Sequence, residues 1–325
     1  MLATLSRNAG VELVAVGAPA VLSYAIKRLI GALPTLLLII TIAFFMMRMA
    51  PGGPFDKERK LPPEIEANLA KAYHMDESLP RQYLRYIGKV VVGDFGPSFQ
   101  YKDFTVTELI WGGFPTSMTL GGIAILLATL IGIGLGVWAA LNQNSTTDYV
   151  VMATAMTGIT VPNFVVAPML TLIFGLWLAW LPVGGWAKPA NAVLPIIALA
   201  LPQIAAIARL TRGSMIEVMR SNYVRTARAK GLPERITILR HAVKAALVPV
   251  VSYLGPAVAG IITGSIIIEQ IFSIPGIGRY FVQAALNRDY TLVMGVTIFY
   301  GVLIILFNLA VDLLYGYLDP KVRYD

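Results

Sequence analysis

Cysteine is absent from all 325 residues, which excludes a disulfide framework and any thiolate metal site. Histidine occurs twice, at His74 and His241, both outside the long apolar runs. That excludes a histidine-based metal centre within a membrane and argues against a Ser–His hydrolase. No G-x-x-x-x-G-K-[S/T] run exists; the sole Gly-Lys pair, Gly88-Lys89, is followed by Val90. The chain therefore does not hydrolyse ATP through a phosphate loop. Charge is scarce, at 14% of residues against about 25% in an average soluble domain. The interiors of the long apolar runs hold no Asp, Glu, Lys, Arg or His. Proton-coupled carriers place such groups near the bilayer midplane. A sodium site made of backbone carbonyls alone stays open. Asp312 and Glu269, at the ends of two runs, read as interfacial or capping carboxylates able to snorkel.

What is present is apolar. Hydrophobic residues make up 57% of the chain, and the mean hydropathy is +0.70. The excess is segmented. Six runs are long enough to cross about 30 Å of hydrocarbon at about 1.5 Å per residue. They are Leu29–Met47, Thr116–Leu141, Tyr149–Leu181, Ala192–Ala208, Ala245–Ile268 and Thr291–Val311. The third exceeds one span, and Pro162 and Pro168 are expected to kink or tilt it. The predicted fold is one all-α membrane domain of six transmembrane helices, with no second soluble domain. Gly132 with Gly136, and Gly260 with Gly264, are small-xxx-small pairs suited to close helix approach. Pro249, Gly255 and Pro256 suggest local unwinding beside a cavity in the fifth span.

Net charge is +8, and its placement predicts topology. Lys27 and Arg28 precede the first span, the Asn142–Asp148 connection has no Lys or Arg, and the third connection has only Lys188. The fourth, Arg209 to Lys244, holds nine of the 26 Lys and Arg residues against two acids, Glu217 and Glu234. Arg279 and Arg288 lie in the fifth connection, Lys321 and Arg323 in the tail. A basic short loop stays cytoplasmic, so six spans put both termini there with it. The first connection, about 51–113, falls outside; its eight basic residues matter little, because long loops translocate regardless of charge. Nucleic-acid binding finds no support, since aromatic and basic residues do not interleave.

The external loop must hold itself together by packing. Leu61-Pro62-Pro63-Glu64 resembles a helix start, with Ile65, Leu69, Ala72 and Tyr73 following at helical spacing. A second start at Pro80 leads into Tyr83, Leu84, Ile87 and Val91, and Gly93–Pro97 breaks it. Two short amphipathic helices are expected on the outer face, serving as a cap on the bundle or as a gate or receptor for an external partner. Met1–Ala20 lacks periodicity and a basic n-region apart from Arg7, so 1–22 reads as an N-terminal extension in which Val21 is the expected initiator and the residues before it are not native. The membrane domain is then 23–325. N-terminal sequencing of the native protein that found Met1 would reject this.

The basic fourth loop, about 209–244, has internal order: a helix-forming run, a Gly231-Leu232-Pro233 break, and a second amphipathic run. A charge tether needs no such order, so the loop reads as a docking surface for a cytoplasmic partner. Gly231 would permit a tight turn or a close backbone approach.

Several motifs in order carry a resemblance. Ala50-Pro51-Gly52-Gly53-Pro54 follows the first span, with Gly53 where Asp is commoner. Arg225-Thr226-Ala227-Arg228-Ala229-Lys230-Gly231-Leu232 resembles a permease coupling motif, of whose broad consensus only Ala227 and Gly231 match, and Arg240 to Lys244 closes the segment. Glu269 to Gly278 and Asn308 to Arg323 complete the set. From Tyr24 to Tyr324 the chain resembles the inner-membrane permease subunits of peptide-type ABC importers. Gly93 to Asp103 is most similar to the B-type subunits of the oligopeptide branch, with dipeptide, nickel and glutathione permeases as the alternatives.

The resemblance implies a type I importer permease in the bacterial inner membrane, non-catalytic, forming half of the translocation pathway. The partners it implies are a second homologous permease, two cytoplasmic ABC ATPase subunits that bind ATP and Mg, and a periplasmic or lipid-anchored peptide-binding protein. No cofactor or metal belongs to this chain itself. The segment from Thr226 to Arg240 would be a short helix seated in an ATPase groove. Two other classes stay open: a secondary transporter or channel acting alone, and a membrane anchor or sensor whose external loop binds a ligand.

Overall fold

The computed structural model describes residues 18–49, 76–101 and 103–318. These are helical apart from connections and one isolated bridge between Pro97 and Thr105. In chain order the helices are α1 (Ala18–Met49), α2 (Leu79–Val91), α3 (Val106–Leu141), α4 (Thr146–Thr160) and α5 (Asn163–Leu170), which runs on as a π-helix, Thr171–Trp177. Then come α6 (Pro189–Met219), α7 (Asn222–Ala229) and α8 (Glu234–Ile236), a second π-helical piece (Thr237–Ala242), α9 (Val243–Ala246), α10 (Val248–Ile271), α11 (Ile277–Leu286) and α12 (Tyr290–Leu318). Five of these are long and apolar enough to cross a membrane; α4 with α5 and its continuation makes a sixth span if the bent pair is taken as one.

The bend in that pair is 104°. Val161 is extended (φ −94°, ψ 121°), as a residue before proline is biased to be, and Pro162 caps α5. The expected kink thus falls at Pro162. Pro168 lies inside α5 without ending it, and the helix widens into its π turn three residues later.

Helix α6 is the central post. Gly132 and Gly136 of α3 sit against it so closely that a Cβ on Gly136 would lie 2.6 Å from the Ala208 carbonyl oxygen, and one on Gly132 2.8 Å from Ile207. Gly158 of α4 faces the Leu201 carbonyl, 2.6 Å from where its Cβ would be. The first small-residue pair is therefore a helix-packing device. Gly260 of the second pair faces Gln203 of α6, and the side-chain position of Gly264 lies outside the described residues. The core between these helices is Leu120, Ala124 and Ala128 of α3, Leu194 and Leu199 of α6, and Ile261, Ile268 and Phe272 at and beyond α10.

The unwinding expected at Pro249, Gly255 and Pro256 does not occur; α10 is continuous from Val248 to Ile271. Pro249 falls in the first turn, where its missing N–H has no partner to lose. Gly255 instead admits Asn308 of α12, whose Oδ1 would be 2.7 Å from a Cβ there.

Contacts between chain ends define two faces. Arg28 near the start of α1 pairs with Asp312 near the end of α12 at 3.1 Å. Arg220 after α6 donates to Gln143 after α3 at 3.2 Å. At the opposite end, Phe44 and Arg48 of α1, Tyr86 of α2 and Tyr290 of α12 wall one cavity. One face therefore carries the connection after α3, α7 to α9 and the far ends of α1 and α12, and the other carries α2 and α11.

On that second face α2 begins at Leu79, with the expected Pro80 in its first turn, the Tyr83 hydroxyl 2.7 Å from that of Thr41 and the Tyr83 ring 5.4 Å from Phe44. The first expected external helix and the Ala50–Pro54 motif lie outside the described residues, as do residues 1–17. Glu269 does not snorkel. It is fully buried and accepts a hydrogen bond from the Gly278 amide at 2.7 Å, capping the first turn of α11.

Candidate functional site: a braced basic arm beneath the bundle

The site residues from Arg225 to Leu232 lie on α7 and the turn that ends it. Val224 packs with Met215, Ala242 and Ala246, which fastens α7 to the bundle, and Ala227, one turn on (i, i+3), is buried on the same stripe. That stripe turns Tyr223, Arg225, Thr226, Arg228, Ala229 and Lys230 outward. Ala227 therefore anchors the segment and is not part of its exposed face.

The helix stops in a Schellman turn. Gly231 is left-handed (φ +76°); its N–H donates to the Arg228 carbonyl at 2.9 Å and the Leu232 N–H to the Ala227 carbonyl at 3.3 Å. Nothing approaches within 4 Å of a Cβ placed on Gly231. Its conformation, and no close approach within this chain, accounts for glycine here. Pro233 then starts the second arm, because its fixed φ suits a helix start and its missing N–H is not needed. So Thr226 to Arg240 is two helical arms meeting at the Gly231–Pro233 break that the residues led one to expect, in place of the single short helix that the resemblance implied. Arg228 closes the turn with two bonds to Glu234, of 2.6 and 3.1 Å, and its guanidinium holds the Glu234 carboxyl below the usual carboxylate range. Arg240 and Leu239 are exposed on the second arm, while Thr237 and Ala242 face inward.

Two contacts brace the segment. Arg220 reaches Gln143, as above. Arg212 of α6 grips Asp148 of α4 with two bonds of 2.6 Å, and Asp148 is 1% exposed. Asp148 also accepts from the Asn144 amide at 2.9 Å, and its own amide donates to the Ser145 hydroxyl at 3.2 Å. Sequence reasoning counted Arg212 only as one loop charge and did not single out Asp148. The available signal was the single acid in a connection devoid of Lys and Arg.

The exposed arm combines a tyrosine and an alanine-flanked arginine cluster with two aliphatic residues, Ile236 and Leu239. Tyrosine and arginine are enriched at protein interfaces, whereas a tether for anionic headgroups needs only charge. The arrangement can bind a protein surface and transmit force; it brings together no nucleophile, base or metal-ligand set.

Comparison with known proteins follows the same lines. The family model for the binding-protein-dependent transport system inner membrane component matches residues 132–324, and the model for the N-terminal part of such membrane components matches residues 21–121. This chain belongs to the binding-protein-dependent permease family. Among its relatives, the oligopeptide transport system permease protein OppB of Salmonella typhimurium is 56% identical over 305 residues, covering 93% of this chain and 100% of that protein. The dipeptide transport system permease protein DppB of Bacillus subtilis is 44% identical over 300 residues, 92% of this chain and 97% of that one. A solved permease of the methionine ABC transporter MetNI, in an inward-facing conformation, matches with a TM-score of 0.54 at 15% identity. It covers 65% of this chain and 96% of that chain, and shows that this permease has the ABC importer membrane fold.

Proposed function

We infer that the chain is the permease half of an ATP-driven, binding-protein-dependent peptide importer, and that α7 with its Schellman turn is where a cytoplasmic ATPase subunit docks. The observation that carries it is an ordered, outward-facing basic arm in a chain that has no nucleotide site of its own. Relatives named for oligopeptide transport at 56% identity over the whole membrane domain support an oligopeptide cargo; the 44% dipeptide relative supports dipeptide as the second reading. The basic face is cytoplasmic, together with both ends of the chain, on the charge rule. The other partners are a second, homologous permease, a second ATPase subunit and an external peptide-binding protein. ATP and Mg sit in the ATPases.

Residues Arg225, Thr226, Arg228, Lys230 and Arg240 make the docking face, the buried Ala227 and the Leu232 amide that bonds to its carbonyl shape the turn behind it, and Gly231 sets the angle between its arms. When the ATPases close, the arm moves as a body, because Val224 is locked against Met215. No ionisable residue occupies the middle of the spans, so coupling is mechanical. Affinity purification from native membrane is expected to yield a second permease and two ATPase subunits, and proteoliposomes of that complex should take up peptide only with ATP and binding protein. Uphill uptake by the isolated chain would overturn the assignment.

A further inference from the structure

We propose that the Asp148–Arg212 ion pair is the joint through which movement of the docking arm reaches the broken third span. The proposal rests on the docking role argued above and adds a route for the force. Met215, under the arm, lies one turn along α6 from Arg212, so displacement of the arm loads α6 near this point. Arg212 then holds the start of α4 through a fork, Nε to Oδ1 and Nη2 to Oδ2, both at 2.6 Å. A fork fixes direction as well as distance.

A second fixed point lies further up the same two helices, where Gly158 sits on the Leu201 carbonyl. The two points are ten residues apart on α4, roughly 15 Å at the helical rise. Two separated contacts prevent α4 from pivoting on α6, so the pair moves as one body. That body ends two residues beyond Gly158, at the start of the Val161–Pro162 break with its 104° bend. Motion applied at the inner face is therefore delivered to that break.

A buried ion pair contributes little net stability compared with apolar residues of the same volume. Asp148 is 1% exposed and Arg212 about a quarter exposed, so the pair adds little as glue, whereas directional gripping needs this geometry.

The test uses the complete transporter in proteoliposomes, with Arg212→Lys, which keeps the charge and loses the fork, and Asp148→Asn. The expected result is wild-type recovery of the complex and near wild-type ATP hydrolysis, with peptide imported per ATP falling about tenfold. A second measurement does not depend on these variants folding. The chain has no cysteine, so Gln143→Cys with Arg220→Cys can be bridged by a short bismaleimide. If the connection leading into α4 and the end of α6 that carries the arm move together, the bridged transporter keeps its uptake. Wild-type peptide-to-ATP ratios in both ion-pair variants, or loss of uptake on bridging, would overturn the joint while leaving the docking role in place. Absence of ATP-driven uptake by the wild-type complex would instead overturn the docking role.

Discussion

Replacing Gly231 isolates backbone conformation from every other property of the docking arm. The residue has φ +76°, and a side chain there would meet nothing within 4 Å in this chain. No core contact is lost and no clash arises, so membrane insertion and abundance should be unchanged. What changes is the cost of the left-handed conformation, about 1–2 kcal/mol for a residue with a Cβ. If that cost falls on the turn, the population holding both arms at the native angle drops by a factor of roughly 5–30. Asparagine tolerates this region better than leucine or valine. The expected order of ATP-driven uptake in proteoliposomes is therefore Gly, then Asn, then Leu, then Val, at equal abundance. Proteolysis between Lys230 and Arg235 should rise in the same order. A Gly231→Val transporter with normal uptake would refute the claim that the turn sets the coupling geometry. Gly231→Asn as inactive as Gly231→Val would mean that a partner's surface, and not the turn, excludes the side chain.

Gly136→Leu should prevent α3 from reaching α6, because its Cβ alone would stand 2.6 Å from the Ala208 carbonyl; the expected readout is loss of folded protein from the membrane, whereas Gly134→Leu, with nothing within 4 Å of its Cβ, should accumulate normally. The Arg228–Glu234 closure has a defined pH sense. The Glu234 pKa is lowered in the folded chain, so its contribution is present above the unfolded carboxylate range and lost as pH falls through the lowered value. Between pH 6 and 8 the turn should show no pH dependence, below about pH 4 it should loosen, and Glu234→Gln should loosen it at every pH. Both groups are exposed, so the effect is at most about 1 kcal/mol and weakens with salt; hydrogen exchange at the Gly231 and Leu232 amides reads it.

The helical membrane fold was legible because hydrocarbon imposes it. Backbone groups in a bilayer must be satisfied within each segment, so long uncharged runs can only be helices. Pro162 marked the break, since proline constrains the residue before it wherever it stands. The size of the bend was not legible, because 104° depends on Gly158 and α6 as well as on the proline. The end of the fourth span was misplaced for an instructive reason. Hydropathy stops at Arg209, but α6 continues to Met219, because Thr211 and Met215 are buried by neighbours and not by lipid. Glu269 is a capping carboxylate, as its place at a span end suggested, but it does not snorkel: the Gly278 amide satisfies it within the protein. The Asp148–Arg212 grip lies 64 residues apart in the chain, and nothing periodic links its partners.

The exposed basic arm and the uncharged spans together limit how this molecule can work. A carrier driven by ions can change shape by titrating a group at its centre; here no such group is available, and a displacement must arrive intact from the edge. Intact delivery requires stiffness, and the contacts that join α3, α4 and α6 include close approaches of glycines to carbonyls and a forked ion pair. Helix α1 contrasts with them, since among its described side chains only Ile40 and Phe44 are buried. On the proposed docking role, a force entering at α7 would move α6 and α4 first and reach the break at Val161–Pro162. The break in the third span is thus a consequence of the coupling scheme as much as of its prolines: a stiff lever needs a hinge, and this is where the covalent chain supplies one.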